Sequence, residues 1–134
     1  MREFYKNLNT YDWAEELPDE CPPDKTMVPE GELFYRLVST LPPTEVDFLS
    51  HRALNPTKEY NTNECIARAV SILDSEKNCE LMRKFPAQKN KRMVCFPLSA
   101  ASGVIQQTGR NKGHYSWWRS ALFDVLSLCR SIET

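Results

Sequence analysis

Apolar residues in this chain come in short, β-favouring runs, each closed by proline, glycine or a polar turn. The runs are Leu33–Val38, Ala69–Leu73, Met93–Phe96, Gly103–Thr108 and His114–Trp118. They have the length of strands, and none approaches the ~18 residues a membrane span needs. A core built from such pieces has to be a sheet. With 134 residues the chain is the size of one ordinary domain. Its 41% apolar and 26% charged residues match a soluble globular protein.

Helical spacing lies between the runs. Thr44 opens a helix, with Asp47 three residues on as a capping box and Val46, Leu49 and Ala53 along one face; Asn55-Pro56 ends it. Asp74 or Ser75 caps a second helix, Glu76–Phe85, stopped by Pro86. A helix from Glu64 onward is an alternative start to the Ala69–Leu73 segment. Ala121–Ile132 reads as a short helical turn leading to a terminal strand. The expected class is α+β: a small mixed or antiparallel sheet with two to three helices. The compact domain is expected over residues 31–134. Residues 1–30 read as an acidic, aromatic arm in which Trp13 and Tyr11 gain by docking on the domain or on a partner protein.

The five cysteines are odd in number and widely spaced, with no C-x-x-C and no histidine beside them. The expectation is five reduced thiols in a cytoplasmic protein, with Cys79 and Cys95 in the core, and no metal site. The N-terminus has no apolar signal-peptide core, so secretion by that route is disfavoured.

Charge is unevenly placed. Residues 1–32 carry nine acids against three bases, whereas Leu81–Phe123 carries eight bases and no acid. Such a basic stretch suits a nucleotide or another phosphate-bearing ligand, or else a solvated face balancing the chain's own acidic arm. An arm lying over a basic groove until displaced would combine the two. A net charge of −1 speaks against a nucleic-acid binder.

Three groups of residues stand out chemically. Arg36 sits mid-strand, where a guanidinium needs either a ligand anion or an ion pair with Glu45 or Glu32. His51 and Arg52 follow a helical turn and suit its C-terminal partial charge. His114-Tyr115-Ser116-Trp117-Trp118, behind Arg110 and Lys112, offers an imidazole for proton transfer and rings for stacking a base. Its alternative reading is a core strand.

Four stretches carry a family resemblance: Phe34-Tyr-Arg36-Leu-Val, Pro42-Pro-Thr-x-x-Asp-Phe48 with Ser50-His51-Arg52, Ala69-Val-Ser71-Ile-Leu-Asp, and Gly113-His114-Tyr-Ser-Trp117-Trp118. Together they resemble a group of small uncharacterised bacterial domains with a distant likeness to the ADP-ribosyltransferase-like fold. The resemblance covers residues 33–134. It implies NAD as ligand or cofactor, held by Arg36 and Ser71, and a place in a bacterial toxin or defence system. It also implies a late glutamate at the reacting ribose. Glu133 is the sole glutamate after Glu80, and no Glu-x-Glu precedes it. Two functions follow: a nucleotide- or partner-binding module lacking a complete catalytic set, or an NAD-using transferase or glycohydrolase. The candidate catalytic residues are His114 and Glu133; the candidate ligand contacts are Arg36, Ser71, Arg110, Tyr115, Trp117 and Trp118.

Overall fold

The computed structural model describes residues 11–60 and 62–132. Six strands form one antiparallel sheet: β1 (Leu33–Val38), β2 (Val70–Leu73), β3 (Arg92–Pro97), β4 (Gly103–Gln107), β5 (His114–Arg119) and β6 (Arg130–Ser131). Their order across the sheet is β4-β5-β2-β1-β3-β6. The helices are short: α1 (His51–Leu54), α2 (Glu64–Ala67), α3 (Glu76–Met82) and α4 (Val125–Leu128), with 3-10 turns at Glu45–Phe48 and Ala100–Ser102. The chain is thus α+β, and more of its helical residues lie in single turns than spacing alone suggests. No helix among the described residues is long and apolar enough to cross a membrane.

The helix expected from Thr44 is broken in two. Asp47 does cap its own turn, accepting from the Thr44 amide at 2.9 Å and from Ser39 at 2.9 Å. The chain then extends at Leu49 and restarts at Ser50, whose Oγ accepts from Ala53. The break follows from Phe48, fully buried against Phe96 and Trp117. Burying that ring sets the turn's orientation, so packing overrides the spacing of Val46, Leu49 and Ala53. Likewise α3 begins at its Ser75 cap but ends at Met82, leaving Phe85 64% exposed in a following turn.

Period-two alternation assigns each strand residue to a face. On one face Phe34, Val38, Val70, Ile72, Val94, Phe96, Ile105 and Trp117 form the main core with Phe48 and Val125. The other face carries two separate apolar clusters. Leu37, Leu73 and Met93 lie under Cys79 of α3. Ala69, Val104 and Trp118 lie under Tyr11, Trp13, Leu17, Cys21, Cys65 and Ile66.

Residues 11–30 therefore pack against the same sheet as the rest. Trp13 pairs with Ser120, and Met27 exchanges backbone hydrogen bonds with Ile105 at 2.8 and 2.9 Å, covering the edge of β4. Covering an edge strand blocks pairing with other chains. Cys21 is joined by a disulfide to Cys65 of α2, with Cα atoms 5.6 Å apart. This corrects the expectation of five free thiols. The two cysteines are 44 residues apart, and only the docking of residues 11–30 brings them together. Cys79 and Cys95 are buried as expected, and Cys129 is free and partly buried. Gly103 is required at the start of β4: its φ is +117°, and a Cβ there would collide with the Trp118 carbonyl.

Candidate functional site: a polar row ending at a gap in the sheet

The β1–β2 junction is the weak seam of the sheet. β1 pairs with β3 along its whole length, but with β2 only at Tyr35 and Leu73. Continuing that register would set Leu37 opposite Ser71, and no such pair forms. The Ser71 carbonyl instead accepts from Arg36 Nη1. Arg36 Nε donates to the Asp47 carbonyl at 2.7 Å. A side chain thus takes the place of a missing ladder bond and ties β1, β2 and the 44–48 turn together.

Arg36 is half-buried, and among the described residues no carboxylate lies within ion-pair distance of it. Glu45, one of the two partners expected for it beside Glu32, pairs with Arg119 instead, at 2.8 Å. Desolvation lowers the Arg36 pKa to about 10, partly offset by the nearby charge of Asp47. The group stays cationic at neutral pH, held by carbonyl dipoles.

A row of polar side chains starts at this gap. Ser71 is opposite Ser116, and Ser116 is opposite Gln106, so the three cross β2, β5 and β4 on one face. The row separates the two apolar clusters of that face. It continues into His114 and Thr108. Thr108 Oγ1 lies 2.8 Å from Ser116 Oγ and 3.2 Å from His114 Nδ1, which is also 3.1 Å from the Thr108 carbonyl. A ring nitrogen facing a carbonyl carries a proton, so Nδ1 donates toward the Thr108 carbonyl. Ser71, Gln106, Thr108 and His114 are all half-exposed.

His51 lies within the electrostatic reach of Arg36. It is exposed at the head of α1, its ring 5.8 Å from that of Tyr60, whose hydroxyl donates to the His51 carbonyl at 2.7 Å. Desolvation lowers its pKa, and so do the charges of Arg36, Lys58, His114 and Lys91. Arg52 is structural: it binds Glu64 at 2.8 and 3.0 Å and the carbonyls of Pro56 and Lys58.

The expected site residues separate into groups. Ser71 and His114 belong to the row, whereas the Arg36 side chain lies on the opposite face, that of Phe34 and Val38, and meets Ser71 only at its backbone carbonyl, so Arg36 and His114 do not converge as expected. Arg110 is exposed on the β4–β5 turn beside Thr108 and His114, with Lys112. Tyr115 points to the opposite face, where it meets Phe34 edge-on and lines a cleft of about 390 Å³ with Met27, Glu32 and Asp74. Trp117 and Trp118 do not form a stacking site: they are 0% and 1% exposed and, being adjacent on a strand, point to opposite faces. Their Nε1 groups donate to the carbonyls of Ser102 and Cys65, each at 3.0 Å. Burial of both indoles follows from a sheet packed on both faces. Glu133 lies outside the described residues.

The basic stretch also divides. Arg83 is paired with Glu80, and Arg119 with Glu45. Arg110 and Lys112 lie on the β4–β5 turn, while Lys89, Lys91 and Arg92 lie at the other end of the sheet, before and at the start of β3. The acidic segment does not cover a basic groove in its described part. Glu15 accepts from the Ser50 amide at 2.9 Å and hydroxyl at 2.6 Å, and the Glu16 carbonyl accepts from Arg68.

Thr108 is not marked by its own sequence neighbourhood, although a signal is present. A hairpin closing at Gly109–Gly113 places two residues before the turn beside those after it, and Gln106, Thr108, His114 and Ser116 are polar at alternate positions. No family model, no curated protein and no solved structure matches the chain.

Proposed function

We propose that this chain is a binding module for a phosphate-bearing small ligand of the nucleotide class, taken at the β1–β2 gap beside Arg36. One observation carries the reading: Arg36 stands charged in the β1–β2 gap, on the face of Phe34 and Val38, with two neutral carbonyls for partners. A guanidinium keeps unused donors in that arrangement and favours a pyrophosphate or phosphate oxygen. His51 lies within the electrostatic reach of Arg36 and adds a second positive charge when it is protonated. The likeness to the ADP-ribosyltransferase-like fold supports NAD or ADP-ribose as the first ligands to try.

Binding is preferred over catalysis because, among the described residues, the acids beside the row and the gap already accept hydrogen bonds. Asp74 flanks the row, its Oδ1 lying against Gly113 beside His114 and accepting from Asn78 Nδ2 at 3.1 Å, and Asp47 beside Arg36 has both oxygens engaged by backbone amides. Stabilising an oxocarbenium-like centre calls for a negative group aimed at it.

Calorimetric titration of the full chain with NAD, ADP-ribose and ATP tests the reading, with chromatography of the NAD sample for nicotinamide release. Saturable binding without release is expected, weakened about tenfold or more in Arg36→Lys, which keeps the charge but loses the planar fork. No heat with any of the three ligands would sink the proposal. Release of nicotinamide would replace it with the transferase or glycohydrolase reading.

A further inference from the structure

A second surface lies away from the polar row, where the N-terminal segment meets the turn after β5. Tyr11, Asp12, Ala100, Ala101, Leu122, Phe123, Asp124 and Leu128 are among the residues that surround an open cleft of about 600 Å³. Leu122 is 83% exposed and Leu128 43%. The walls are held in place. The Tyr11 hydroxyl donates to the Ala100 carbonyl at 2.8 Å, the Ala121 amide to the Asp12 carbonyl at 2.6 Å, and the Phe123 amide to the Ser120 carbonyl at 3.3 Å. Leu122 is therefore presented on a hydrogen-bonded turn. Among the described residues the ionisable side chains with carboxylates on the rim are Asp12 and Asp124, both exposed, and no lysine or arginine lines the cleft.

We infer that this cleft docks a partner protein through a short peptide segment in which apolar side chains are flanked by lysine or arginine. The volume suits two or three large apolar side chains. Leu122, Leu128 and Phe123 supply the apolar floor, while Asp12 and Asp124 select basic flanks and disfavour acidic ones. The surface is independent of the nucleotide reading and shares no residue with the polar row.

The test uses the full chain and a fluorescein-labelled Lys-Leu-Phe-Leu-Lys peptide, followed by anisotropy at low salt. Saturable binding is expected, at least about fivefold weaker for a Glu-Leu-Phe-Leu-Glu counterpart, as two exposed charge pairs would give. Asp12→Asn with Asp124→Asn should erase that difference while keeping the cap on α4, because asparagine also accepts from the Ser127 amide. Leu122→Ser should abolish binding of the basic peptide without changing the melting temperature. Equal affinity for the two peptides, or binding unaffected by Leu122→Ser, would overturn the inference. So would a concentration-dependent dimer lost in Leu122→Ser, which makes a second copy the occupant, or nuclear Overhauser contacts from residues 1–10 to Leu122.

Discussion

Two arginines approach the same short turn, and their surroundings differ in one respect. Arg119 is buried among the rings of Phe48 and Trp117, donates to the Phe48 carbonyl at 2.9 Å, and is neutralised by Glu45. Arg36 donates to the carbonyl one residue earlier and to Ser71, with no carboxylate in contact among the described residues. The first is a closed structural pair, although its Nε has no hydrogen-bond partner. The second leaves positive charge at a seam where the sheet is already open. A guanidinium's role is therefore set by whether an acid faces it, more than by its burial or its strand.

Mutations of the turn and of the two arginines probe this contrast at decreasing scale. Phe48→Ala removes the ring that both halves of the core pack on, and a loss of about 3–5 kcal/mol is expected by urea denaturation. Arg119→Met should cost about 1–3 kcal/mol, because the Phe48 carbonyl loses its donor, while ADP-ribose affinity stays within about twofold. Arg36→Met should have a similar stability cost but lower affinity about tenfold or more. Equal losses of affinity in the two arginine variants would break the distinction.

A pH series sharpens it. The folded-state pKa of His51 lies below its ordinary value of 6.5, so the unfolded chain takes up that proton more readily. Its contribution to stability is present above pH 6.5 and is lost as the pH falls toward the folded value. A bound anion reverses the balance by favouring the imidazolium, so affinity should grow as the pH falls through the same window. His51→Gln should flatten both curves in thermal melts and titrations. A nucleotide affinity that rises with pH instead would remove His51 from the site.

The smallest effect concerns Cys79, under α3. Burial pushes its thiol up to about 12, outweighing the positive charges of Arg83 and Arg36. Iodoacetamide at mildly alkaline pH should leave Cys79 unmodified in the folded chain, as read by mass spectrometry. Rapid alkylation without unfolding would show that the region beneath α3 opens.

Much of the sheet was legible from local signals. The run Leu33–Val38 is a strand from end to end, Ser75 caps its helix, and Asp47 closes on Thr44. These depend on residues within a few positions of one another, which composition and spacing record directly. The site was legible only in pieces. The family resemblance joins Arg36 and Ser71 as NAD contacts, whereas the hydrogen bond between Arg36 and the Ser71 carbonyl arises because the β1–β2 ladder stops after one pair. Trp117 and Trp118 attracted attention as a stacking pair, yet strand alternation sends them to opposite faces of a sheet covered on both sides.

Taken alone, the order of residues determined a single α+β sheet protein, its strands, its caps and the core positions of Cys79 and Cys95. Tertiary structure decided that residues 11–30 close the edge of β4, that Cys21 bonds Cys65, that Glu45 goes to Arg119, and that Arg36 remains without an acid. The reason is range. Hydrogen-bonded turns and alternation are written over a few neighbouring residues, but the choice of ion partner, disulfide and buried face depends on which distant segments pack together.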